Sequence, residues 1–71
     1  MEIKRFVLCI DNSNYESSLE KWKIYPVISD EEGYIRIIDE SGEDYLYSQE
    51  MFKEIEIPIE IERNYIESSI I

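Results

Sequence analysis

Two carboxylate pairs bracket one short segment: Asp39–Glu40 precede Ser41–Gly42, and Glu43–Asp44 follow it. Paired carboxylates can share general acid and base work when their surroundings hold their pKa values apart. A tight hairpin tip would instead keep both pairs in water, where screening leaves shifts small. Histidine, the commonest acid–base group at neutral pH, is absent. No glycine-rich phosphate loop and no activated-serine motif occurs. These observations argue against an enzyme.

Metal chemistry fares no better. Asp11-Asn12-Ser13-Asn14-Tyr15-Glu16 begins like a calcium loop, with oxygen ligands at alternate positions. The pattern then breaks. Glu16 stands where the sharp turn needs glycine, and Trp22 stands where the bidentate acid belongs. The segment reads as hydrogen-bonded turns. Cys9 is the single cysteine, which excludes an internal disulfide and, with no histidine, a structural zinc site. Flanked by Leu8 and Ile10, it reads as a core residue, and Asp11 beside it would raise its pKa. No metal and no cofactor are expected.

Binding chemistry is better represented. Tyr15, Trp22, Tyr25, Tyr34, Tyr45 and Tyr47 are many aromatics for 71 residues. Trp22 and Tyr45 read as core. Tyr15 and Tyr47 read as partner-binding residues, with completion of a small core as the alternative use. A second candidate is an acid ladder, Glu54, Glu56, Glu60 and Glu62. Residues two apart on one strand face lie about 6.6 Å apart. Successive phosphates of a nucleic-acid strand are roughly 7 Å apart, so the ladder can imitate a phosphate backbone toward a basic cleft. The bland alternative is a solvated strand face.

These residues need elements to position them, and the chain reads as strands. Ile3–Ile10 is an apolar run ending in the polar cluster at 11–14, followed by a long loop to Lys21. Trp22–Ser29 is a second strand, with Pro26 placed at an edge or bulge because it lacks a backbone donor. Asp30–Gly33 is a turn, Tyr34–Asp39 a third strand, and Glu40–Glu43 a tight turn in which Gly42 can take a positive φ. Asp44–Tyr47 is a fourth strand. Ser48–Met51 forms one helical turn capped by Ser48, and Phe52–Ile57 is the fifth strand. Five short strands, a long first loop and a helical turn before the last strand predict an all-β, five-stranded SH3-like barrel over residues 1–57. An OB-like barrel is the runner-up. Residues 58–71 are a C-terminal strand extension, in which Ile59, Ile61 and Ile66 supply a packing or dimer interface.

The balance of charge bounds the partners. A formal charge of −10 disfavours nucleic acid and anionic membranes, and favours a protein with a basic surface. The N-terminus lacks a signal-peptide run, so a cytoplasmic location is expected. Alanine, threonine and histidine are absent while isoleucine, glutamate and tyrosine abound, a usage that fits an AT-rich coding sequence from a low-GC bacterium or its phage.

The runs Cys9–Glu16, Ser18–Glu20, Lys23–Val27 and Ile35–Tyr47, with DESGEDYLY at 39–47 the most specific, resemble a family of small bacterial and phage proteins. The resemblance implies an SH3-like barrel and carries no assigned activity. It covers the first three-quarters of the chain and departs at Asn14, where the pattern has glycine. The function expected from all of this is a small acidic protein-binding protein that inhibits or regulates a larger partner. A phage-encoded inhibitor of a bacterial defence or nucleic-acid-processing enzyme is its specific form. The alternative is an SH3-like peptide-recognition module.

Overall fold

The computed structural model describes residues 2–56. The extension from 58 to 71, with the proposed interface residues Ile59, Ile61 and Ile66 and the ladder residues Glu60 and Glu62, lies outside the described residues.

The described chain is all-β. Its strands are β1 (Arg5–Cys9), β2 (Ile24–Glu31), β3 (Tyr34–Ile38), β4 (Asp44–Ser48) and β5 (Phe52–Ile55), with a 3₁₀ turn at Gln49–Met51. They form one antiparallel sheet in the order β4-β3-β2-β1-β5. β4 and β5 are its two edges, no ladder joins them among the described residues, and the sheet is not closed. No helix here is long and apolar enough to cross a membrane.

Alternation along the strands explains the core. Val7 and Cys9 of β1, Tyr25 and Val27 of β2, Ile35 and Ile37 of β3, Tyr47 of β4 and Phe52 of β5 form one buried cluster. Leu19, from the β1–β2 loop, joins them and is fully buried. Each aliphatic side chain buried this way contributes about 1.5–3 kcal/mol. Cys9 is a core residue, as its apolar neighbours predict, and burial pushes its thiol pKa up.

Several expectations need correction. Trp22, read as core, is 65 % exposed. It precedes β2, its backbone is left-handed at φ 71°, and its N–H donates to Cys9 O. That conformation removes it from the strand alternation on which the core reading rested. Tyr45, also read as core, is 51 % exposed. It shares the core side of β4 with Tyr47, but β4 is an edge strand, so only β3 flanks Tyr45 within the sheet. Pro26 lies in an interior strand opposite Phe6. Its donor-less nitrogen points away from β1, to the side where the β2–β3 ladder begins only at Val27 and bulges before Ser29. Ser48 precedes the 3₁₀ turn without a side-chain capping bond.

The two turns flanking β3 follow their sequence. Gly42 adopts φ 83° and its N–H donates to Asp39 O, closing the β3–β4 turn. Asn14 is at φ 71°. Asparagine tolerates this left-handed region, so the first loop keeps a backbone that glycine would adopt freely.

Candidate groove between the first loop and the β3–β4 hairpin

The loop between β1 and β2 is tied down along its length. Asp11 Oδ1 accepts the Ser13 N–H at 2.9 Å, Asn12 Nδ2 donates to Leu19 O at 3.1 Å, and Tyr15 N donates to Asn12 O at 2.9 Å. These are the hydrogen-bonded turns that its Asp, Asn and Ser content predicts. Leu19 plugs the core beneath, so the loop is anchored by burial as well.

Two tyrosine hydroxyls then fasten this loop to the β3–β4 turn. Tyr47 Oη donates to Asp39 Oδ2 at 2.7 Å and accepts from Ser18 Oγ at 2.9 Å. Tyr25 Oη donates to Glu40 and accepts the Glu20 N–H at 2.7 Å. Glu40 N donates to Ser18 O, and Lys23 Nζ lies 2.8 Å from the Glu40 carboxylate. Asp39 Oδ1 accepts both the N–H and the hydroxyl of Ser41.

Asp39 is 6 % exposed, which corrects its reading as water-screened, whereas its neighbour Glu40 is exposed. Burial pushes its pKa up, but the bonds from Ser41 and Tyr47 outweigh that and hold it below the ordinary carboxylate range. Glu40 is also lowered: burial again opposes, and the bonds from Lys23 and Tyr25 prevail. Tyr47 moves the other way, pushed up to about 12 by burial, with the Asp39 charge adding to it. Both carboxylates are ionised at neutral pH and already hydrogen-bonded, an arrangement suited to holding structure.

Between the tied loop and the hairpin runs an open groove of about 400 Å³. Tyr15 and Ser17 form one wall, Tyr45 and Leu46 the other, and Ser18, Asp39 and Tyr47 the floor. Tyr15, Tyr45 and Leu46 are exposed large apolar residues brought to one place. Tyr15 stands edge-on to Tyr47, with ring centroids 5.1 Å apart at 84°. Among the described residues, no basic side chain lines it.

The residues singled out from sequence fall into three groups. Tyr15 lines the groove and is 45 % exposed. Tyr47 reaches the same groove, but its ring is a core element at 5 % exposure, so a partner meets little more than its edge. Glu54 and Glu56 are exposed at the other end of the molecule, and Glu54 Oε1 lies 3.2 Å from Arg5 Nε. That nitrogen is buried and meets Glu54 outside hydrogen-bonding geometry, while the rest of the guanidinium forks onto Asp30 with two 2.7 Å bonds. The described half of the ladder is thus partly neutralised. The sequence reading missed Tyr45, Leu46 and Asp39 as groove residues. The signal for Tyr45 was its spacing of two from Tyr47, which puts both on one strand side.

No family model matches the chain, and neither a curated protein nor a solved structure matches it. The class of protein is therefore defined by the fold and the groove: a small all-β protein that presents a preorganised aromatic surface.

Proposed function

We propose that this protein is a small acidic protein-binding module that inhibits or regulates a larger partner with a basic surface. The observation that carries the proposal is the groove, whose two sides are fastened to each other by hydrogen bonds before any ligand arrives. Preorganisation lowers the ordering cost of binding, and exposed tyrosines make efficient contact residues. The charge of −10 supplies attraction for a basic partner. The proposed role is binding without turnover.

An SH3-like arrangement is part of the same proposal. It is supported by the strand order β4-β3-β2-β1-β5, the long first loop and the 3₁₀ turn before β5. SH3-type domains dock extended peptides on loop-adjacent aromatics. Here the loop-adjacent aromatics are Tyr15 and Tyr45.

The test is affinity capture from a low-GC bacterial lysate with the parent protein and with Tyr15→Ala and Tyr45→Ala. Both residues are exposed, so the fold should survive. A partner retained by the parent and lost by both variants supports the groove. Equal capture by all three sinks it. Tyr47→Ala is unsuitable, because it opens the core.

A further inference from the structure

β4 offers the groove a backbone as well as side chains. Its register with β3 pairs Ile37 with Tyr45 and Ile35 with Tyr47. The flanking bonds from Asp39 N to Glu43 O and from Gln49 N to Gly33 O fix the phase of the ladder. Alternate pairs exchange hydrogen bonds, so Tyr45 and Tyr47 spend their N–H and C=O groups on β3. Asp44, Leu46 and Ser48 therefore turn theirs outward. Among the described residues these groups meet no backbone partner. Leu46 also lines the groove, which places this open edge beside the Tyr15 wall.

We infer that the groove takes an extended basic segment of a protein partner, which adds to β4 as a sixth strand. This deepens the proposed function and rests on the groove being the binding site. The occupant is basic because Asp39 forms the floor, Glu43 stands at the turn end of β4, and no cation lines the groove among the described residues; Asp44, beside Glu43, is already paired with Arg36 at 3.2 Å. A second copy of this chain would bring its own charge of −10 to that acidic edge, which argues against self-pairing. Strand addition gives affinity through main-chain bonds and specificity through alternate side chains. With a period of two, one set of partner side chains faces the groove. Lysine or arginine at every second position would lay its stem along Tyr15 and Tyr45 and keep its charge near Asp39.

The probe is a synthetic peptide of alternating lysine and valine, titrated into the ¹⁵N-labelled full chain. Two isomers carry backbone N-methyl groups, one on the lysines and one on the valines. Strand addition requires that one isomer lose binding by about tenfold or more while the other keeps it, since only alternate amides face β4. The Leu46 amide should also exchange more slowly with solvent in the complex. Leu46→Pro, which deletes that outward donor on an edge strand, should lose binding while Leu46→Ala keeps it. Equal binding of both isomers, with Tyr15 and Tyr45 resonances still shifting, overturns strand addition and leaves the groove reading intact. No shift at Tyr15 or Tyr45 with any peptide overturns both. Binding of a glutamate-for-lysine peptide as tight as the parent overturns the basic occupant. Concentration-dependent dimerisation that protects Leu46 without peptide overturns the foreign strand in favour of a second copy.

Discussion

The two ends of the molecule handle carboxylates in opposite ways. At the groove end, Asp39 is buried and satisfied by neutral donors, the Ser41 backbone and hydroxyl and the Tyr47 phenol. At the far end, Asp30 and Glu54 sit largely in water and flank one arginine, Arg5. The second arrangement has full opposite charges, yet it is expected to contribute less. Exposed ion pairs are worth about 0–1 kcal/mol, because water competes and two long side chains must be ordered. A buried carboxylate cannot lose a donor without leaving polar atoms unpaired away from water. The groove end is therefore the one expected to lose more stability when a carboxylate is removed.

Removing the buried carboxylate should break this contrast most sharply. Asp39→Ala takes the acceptor from the Ser41 N–H and leaves the Tyr47 hydroxyl with Ser18 alone, and should cost about 1–3 kcal/mol in urea unfolding. A loss no larger than that of Asp30→Ala would refute the ranking of the two ends. The same groups predict the acid response. Asp39 and Glu40 lie below their ordinary values when folded, so they stabilise at neutral pH. That stability should fall as pH drops below about 4, where the unfolded carboxylates take up protons first. Stability in Asp39→Ala should depend less on pH there.

Tyr47 sharpens the comparison from the alkaline side. Its pKa of about 12 when folded exceeds the ordinary tyrosine value of about 10. The folded state keeps the proton longer, so stability is complete below about pH 10 and falls as pH rises toward 12. Tyr47→Phe should lower stability at pH 7 by about 1–2 kcal/mol and flatten that alkaline decline. Denaturation curves at pH 9 and pH 11 measure both effects.

Two smaller effects complete the series. Trp22→Gly should raise stability by about 1 kcal/mol, since it relieves a left-handed backbone on an exposed tryptophan. A loss of stability would mean that packing of the indole outweighs that strain. Asp30→Asn should cost under about 1 kcal/mol, and the difference should shrink further in 1 M salt. Persistence of a larger loss at high salt would move the Arg5 cluster into the same class as Asp39.

Much of the fold was legible in the chain. Ile35 and Ile37 alternate with Arg36 and Ile38, and Gly33 and Gly42 punctuate the turns, so the β3 hairpins followed from local pattern. The core reading of Cys9 followed from its apolar neighbours. The groove was half legible. Tyr15 was singled out, but Tyr45 and Leu46 were not, and Asp39 was read as a solvated turn acid. Nothing near Asp39 in sequence announces that Tyr47, eight residues on, will bring its hydroxyl to that carboxylate. Sheet register decides it, by setting Ile37 opposite Tyr45 and Ile35 opposite Tyr47.

What the sequence determined by itself is the set of strands, the turns and the acidic charge, because these depend on short-range periodicity and composition. Only the tertiary structure decided which strands became edges. That choice exposed Tyr45 and turned the Leu46 backbone outward, and the fastening of the first loop to the β3–β4 turn buried Asp39. The physical reason is that alternation tells which side of a strand a residue faces, whereas burial depends on whether another element covers that side.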